Sequence, residues 1–262
     1  MTRERALRAG LATALAVGLL AATQSTGTAA ASRERSPSIT AALTQGAVAI
    51  VQAVPDETMA IVIDGDEVRD SVVRGAVLRV DLAPGDHEVE FRFGSASVAA
   101  SVKVEAGTTS DVVVHRPAEV DGDPIVSVFP QPVQPIALDK ARVLLAHTAT
   151  TAPADAEVDG RVVFRNIANG EYADADVPAG QHRVALVPAG VDGPPILGPL
   201  EVDLATGTLT SVYAVGNPLN RSMDVIVLET PLPGDGSEAP TRVETGSAGL
   251  VTYATVLTFR SR

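Results

Sequence analysis

Apolar and polar residues alternate with a period of two through much of this chain. In "AVLRVDL" Leu78, Val80 and Leu82 alternate with Val77, Arg79 and Asp81, and in "EYADADV" Ala173, Ala175 and Val177 alternate with Tyr172, Asp174 and Asp176. Successive side chains of a strand point to opposite faces, so the pattern predicts half-buried strands with one apolar face. The opposite face, carrying Asp174 and Asp176 in one strand and Arg79 and Asp81 in the other, is expected to be solvated. The runs "AVAIVQAV", "MAIVIDG", "EVEFRF", "SVAASVKV", "DVVVH" and "ARVLLAH" are rich in Val and Ile, are bounded by Gly, Pro or Asp, and also read as strands. Helical periodicity is missing beyond the N-terminal segment. Strands of this kind bury one face each by packing as two antiparallel sheets, so the chain is expected to be all-β.

An internal repeat organises these strands. Copy one reads "IDGDEVRDSVVRGAVLRVDLAPGDHEVEF" and copy two "VDGRVVFRNIANGEYADADVPAGQHRVAL". Gly65, Gly75, Gly85 and His87 of the first lie 95 positions before Gly160, Gly170, Gly180 and His182 of the second, without a gap. Further on, Gly107 and Gly207 are 100 apart, so five residues are added between, most simply in the loop "AGVDGPPILG" at 189–198. The repeat predicts two tandem β-sandwich domains of roughly seven strands each, at 46–133 and 134–233. Residues 32–45 are then an N-terminal linker, and 234–262 a Gly/Ser/Pro-rich spacer with a final apolar strand or degenerate anchor.

Within the repeat, the six glycines mark turns, and His87 and His182 mark the register. Pro84-Gly85 suits the middle of a type II turn, because Pro presets φ near −65° and Gly accepts the positive φ that follows. His87 then shares a strand face with Val89 and Phe91, and His182 with Val184 and Leu186. Both histidines therefore start the inward row at the rim of a core, where loop carbonyls satisfy their ring nitrogens.

The two ends bear on compartment. Arg3, Arg5 and Arg8, the apolar run "LATALAVGLLAA" and the small residues of "GTAAAS" follow the plan of a secretory signal peptide over residues 1–31. The apolar run is twelve residues long, whereas a bilayer span takes roughly twenty, so no transmembrane span is expected in the mature chain. "LPGDG", a spacer, "LVTYATVLTF" and "RSR" follow the order of a sortase sorting signal, but Asp235 stands where that signal needs Thr. Secretion, with at most weak cell-wall association, is the expectation. The chain has no Cys, so export brings neither disulfides nor a lipid anchor on Cys. The formal charge of −12 becomes −14 once the signal segment's net +2 is removed, a surface that repels nucleic-acid phosphates.

Candidate chemistry is sparse. A metal site gathers three or more ligands, and the four histidines show no spacing that does so. Asp64 with Asp66 and Asp121 with Asp123 offer oxygens to Ca²⁺, yet neither pair completes a calcium loop, so Ca²⁺ stays a weak expectation and no cofactor or metal is assigned. No Gly-x-Ser-x-Gly elbow occurs, and the glycines of "GVDGPPILG" fit neither a phosphate loop nor a dinucleotide fingerprint. Asn220-Arg221-Ser222 matches a glycosylation sequon. With no catalytic residue assigned, the expectation is a non-catalytic protein whose partner is an extracellular protein or glycan. The absence of Trp weakens the glycan variant. The alternative is an extracellular hydrolase or metal-dependent enzyme with its site between the copies, for which His147, His182 and two carboxylates would have to meet.

The stretches "ARVLLAHTATTAPADAEVDG", "NGEYADADVPAGQHRVALVPAG" and "GTLTSVYAVGN" resemble the bacterial domain-of-unknown-function 4397 family. His147, Ala152 and Pro153 match its V-H-A-S-P-D-A-P motif, while Thr150 and Thr151 replace the Pro-Asp; copy one keeps Pro55 and Asp56 but has Gln52 at the His position. Loss of that His from one copy favours a structural part for it. The resemblance implies tandem Ig-like modules, secreted or surface-associated, with no established activity.

Overall fold

The computed structural model describes residues 45–235; the expected signal peptide, the expected 32–45 linker except its last residue, and the sorting-signal expectation beyond Asp235 lie outside that range. Eight strands come from the first copy: β1 (Gly46–Gln52), β2 (Met59–Ile63), β3 (Asp66–Val72), β4 (Val77–Leu82), β5 (Gly85–Phe93), β6 (Ala96–Val104), β7 (Thr109–His115) and β8 (Ile125–Pro130). They form two four-stranded sheets in the orders β4-β1-β7-β8 and β3-β2-β5-β6. The second copy supplies β9 (Lys140–His147), β10 (Ala154–Val158), β11 (Arg161–Ile167), β12 (Tyr172–Pro178), β13 (Gly180–Pro188), β14 (Leu197–Leu204), β15 (Thr208–Val215) and β16 (Asp224–Pro231). Its sheets, β12-β9-β15-β16 and β11-β10-β13-β14, repeat the first pair strand for strand. Each copy thus has eight strands rather than seven. One pair per copy, β1 with β7 and β9 with β15, runs parallel, so the sheets are mixed rather than wholly antiparallel. In the immunoglobulin order the first two strands pair; here β1 pairs with β4 and β7, because the chain crosses to the other sheet before β2.

The parallel pairs lie at the centre of the molecule, and their sequences say why. A strand buried on both faces reads as a continuous apolar run. Val48 and Ile50 of β1 enter the first sandwich's core, whereas Ala49 and Val51 enter a second core shared with the other sandwich. Val112 and Val114 of β7 split from Val113 in the same way. On the other side of the shared core lie Leu144, Ala146, Leu209, Tyr213 and Val215, while Leu145 and Ala214 face the second sandwich's own interior. The inner sheets of the two copies therefore pack on each other, and the described chain is a stack of four sheets.

Arg79, Asp81, Asp174 and Asp176 are exposed, as the alternation predicts, and the same face also makes contacts at the junction. Val77 packs against the shared core. Tyr172 meets the Phe129 ring edge-on at 5.7 Å and 82°. Asp176 receives both Nε (2.6 Å) and Nη2 (2.9 Å) of Arg142, whose Nη1 also donates to the carbonyls of Pro132 and Gln134 in the connecting segment. Arg142 is thereby a clamp on the junction. The five-residue insertion falls where the repeat places it, since residues 189–196 join β13 to β14 while only two residues join β5 to β6.

Candidate functional site

Asp64-Gly65 and Asp159-Gly160 close two-residue hairpins between Ile63 and Asp66 and between Val158 and Arg161. Their φ values, 51° and 88° in one copy and 51° and 73° in the other, are positive at both central positions, as a type I′ turn requires. The turn aims each Asp at the first residues of the neighbouring strand. Asp64 Oδ2 lies 2.6 Å from His87 Nδ1, and its Oδ1 accepts the Glu88 amide at 2.9 Å. His87 Nε2 meets the Ala83 carbonyl at 2.8 Å. The second copy reproduces this with Asp159, His182, the Arg183 amide and the Pro178 carbonyl, at 2.8, 2.9 and 2.8 Å.

An imidazole with an acceptor at each nitrogen is favoured as the cation. The pKa values of His87 and His182 are accordingly raised, first by the Asp hydrogen bond and then by the carbonyl. Asp64 is lowered by His87 and then the Glu88 amide, and Asp159 by the Arg183 amide and then His182. Each ring bonds a carbonyl four residues back and so closes the bend before β5 or β13. Gly85 (φ 151°) and Gly180 (φ 121°) sit in that bend with positive φ, but outside type II values, so the expected type II turn is replaced by this ring-closed bend. Both His–Asp pairs spend their hydrogen-bonding capacity on the fold. They tie the β2–β3 and β10–β11 turns to the strands beside them.

The other two histidines lie inside. His115 is fully buried, with Nδ1 2.9 Å from the Arg116 carbonyl and Nε2 2.9 Å from Ser127 Oγ. Burial, helped by nearby His147, pushes its pKa down to about 4. The neutral ring then donates from Nδ1 and accepts the Ser127 hydroxyl at Nε2. A serine on an imidazole nitrogen is the pairing that nucleophilic catalysis uses. Here a backbone carbonyl stands where a carboxylate would orient the ring, and a base near 4 accepts protons poorly at neutral pH. His147 is also buried, its pKa lowered by burial. It closes β9, where its carbonyl accepts the Gly170 amide. The equivalent Gln52 accepts the Gly75 amide in the same way, and its side chain ties the Val54 amide and Glu57 carbonyl at 2.7 and 2.8 Å. The joint shared by the two copies is the backbone carbonyl at this position, since the buried His147 ring nitrogens have no hydrogen-bond partner.

The histidines of the enzyme alternative are kept apart. Pro178, to which His182 bonds, pairs with Lys140 at the start of β9, and His147 is at that strand's end. Among the described residues no three His, Asp or Glu side chains gather as a metal site. Asp64, half of one Ca²⁺ pair, has both oxygens engaged by His87 and Glu88.

What the junction does build is a polar cleft of about 470 Å³, walled by loops of both sandwiches. Asp56, Glu57, Arg116, Glu119 and Asp121 come from the first; Thr148, Thr150, Asn217, Asn220 and Ser222 from the second. Arg116 reaches the Gly122 carbonyl at 3.1 Å and Glu57 at 3.5 Å, leaving the wall with an excess of carboxylates. Asn217 caps the short 3-10 turn Pro218–Asn220, and Ser222 Oγ donates to Asn220 at 2.6 Å. Beneath the junction lies a buried network that the sequence reading did not find. The Tyr213 hydroxyl and the Gln131 amide both donate to Asp111 Oδ2, and Ser211 donates to Gln131 at 2.7 Å. The one signal for it was a Tyr and a Ser inside the apolar run "TSVYAV".

Among curated proteins, none matches the chain. Residues 46–156 match the family model described as a domain of unknown function, DUF4397. That match covers the first sandwich, the junction and β9, and ends inside β10, so the second sandwich's likeness to the first rests on its strand order, its register and its His–Asp pair. Over residues 46–156, then, the chain bears the resemblance to the DUF4397 family that its sequence motifs suggested.

Proposed function

We propose that this protein is a non-catalytic module of the extracellular space, secreted or held at the cell surface, whose loop cleft at the junction of the sandwiches receives a protein or glycan partner. The observation that carries this reading is the placement of the four histidines: two are bonded in His–Asp clamps and two are buried at strand ends. General acid–base work requires a group in reach of a substrate proton. The cleft instead offers carboxylates, amides and hydroxyls on loops held by a rigid scaffold, the usual placement of recognition surfaces. Its acidic excess favours a basic or hydroxyl-rich partner. Among the described residues no helix is long and apolar enough to cross a membrane.

Two measurements test this. Native cells fractionated into medium, wall and membrane should yield the chain in the medium or wall. The full chain should then bind basic peptides or glycans on an array, with loss on Glu119→Lys plus Asp121→Lys. Turnover of an ester, glycoside or peptide substrate that disappears in Ser127→Ala and His115→Asn would overturn the reading.

A further inference from the structure

Comparison of the two interiors shows smaller side chains, and a cavity, in the second sandwich. Ile61 pairs with Phe91 across β2 and β5, and the equivalent pair across β10 and β13 is Ala156 with Leu186. Met59 becomes Ala154, and Leu78, opposite Ile50, becomes Ala173, opposite Leu145. The first interior packs Ile61, Met59, Phe91 and Leu78 in one cluster. The second contains a cavity of about 250 Å³ with an almost wholly apolar lining. By comparison, a cavity of about 150 Å³ lined by apolar side chains stays dry and takes up benzene. The cavity is also reachable. In the first sandwich β6 and β8 approach each other and close the edge, whereas β14 and β16 make no comparable approach. Pairing of β13 with β14 slips between Val184 and Leu186, next to the inserted loop, and Val227 of β16 is 49% exposed at the gap.

One polar group points to the kind of occupant. Thr210 is among the lining residues, and its buried hydroxyl has no hydrogen-bond partner. A buried hydroxyl left unpaired is costly, and a ligand hydroxyl would satisfy it. The lining's charged members are Asp203 and Glu229, both exposed carboxylates, which disfavour an anionic head. We propose that the second sandwich binds a medium-length alkyl chain with an uncharged hydroxyl head, the chain lying between the sheets and the head bonded to Thr210. This site is separate from the loop cleft and stands or falls independently of it.

The test is calorimetric titration of the full chain with n-hexanol, n-octanol and n-decanol, with octanoate as the anionic comparison. Affinity should rise about fourfold per methylene until the cavity is filled, and octanoate should bind at least tenfold more weakly than octanol. Thr210→Val should weaken octanol about fivefold, the loss of one hydrogen bond, and leave octane binding unchanged. Ala156→Ile, which restores the first copy's residue, should abolish binding and raise the melting temperature; Leu186→Phe serves the same purpose if that variant does not fold. Absence of saturable octanol binding would overturn the proposal, as would wild-type affinity in folded cavity-filled variants or equal affinity for octanoate.

Discussion

Asp111 is the residue whose environment departs furthest from what its position in the chain suggests. It is the third residue of β7, where an acid normally faces water, yet it is 3% exposed between the two sandwiches. Burial pushes its pKa up to about 6, against the pull of the Tyr213 hydroxyl, Arg79 and the Gln131 amide. A folded pKa above the unfolded value means that the native state holds the proton more tightly, so stability falls as pH rises from about 4 to 6. Asp111→Asn keeps an acceptor for Tyr213 and Gln131 without the charge. It should stabilise the protein by about 2 kcal/mol at pH 7 and have little effect at pH 4. Urea denaturation at both pH values checks this, and equal gains at both would refute it. The His–Asp clamps carry the same sign in another window: their contribution is complete below about pH 6.5 and fades as pH rises through the raised His pKa. Burial of His115 acts oppositely, with stability lost as pH falls from about 6.5 towards 4. The clamps were half legible, because His87 and His182 recur in phase beside a repeated turn. Their partners Asp64 and Asp159 lie 23 residues earlier, too far for any local pattern to join them.

At the scale of elements, alternation and punctuation located most strands, and the glycine register located the inserted loop. Neither could say what lay beyond the polar face of β4 and β12. Asp174 and Asp176 are exposed, as the alternation predicts, but the pairing of β12 with β9, which no single strand reveals, sets Asp176 directly opposite Arg142. The segment between the sandwiches depends on that Arg, whose Nη1 holds two of its carbonyls at 2.8 and 2.9 Å. Arg142→Leu would leave both carbonyls and Asp176 without their donor. It should cost about 2 to 4 kcal/mol and open the 131–139 segment to proteases, with thermal unfolding and limited digestion as readouts. Arg142→Lys should recover only part of this, since one ammonium cannot span the carboxylate fork and the carbonyls together. An unchanged melting temperature in the Leu variant would show that the junction is held by apolar packing alone.

The whole molecule is held by its central core. Val51, Val113 and Phe129 of the first sandwich are fully or almost fully buried against Leu144, Leu209 and Tyr213 of the second. Residues 45–133 alone would expose that face, so they are expected to bind a hydrophobic dye and to lack a cooperative transition, whereas the full chain unfolds in one step. A monomeric, cooperatively folding single sandwich would contradict this. The sequence by itself determined the all-β class, the twofold repeat, the turn chemistry at Asp64-Gly65 and Asp159-Gly160, and the inward phase of His87 and His182. Those follow from period-two burial and positive-φ turns, which act over a few residues. Tertiary structure alone decided that β1, β7, β9 and β15 are covered on both faces, that Asp111 is buried under Tyr213, that the loops meet in a cleft, and that the second interior is underfilled. Each of these depends on which surfaces meet across long separations in the chain, and a run of valines reads the same with one face covered or two.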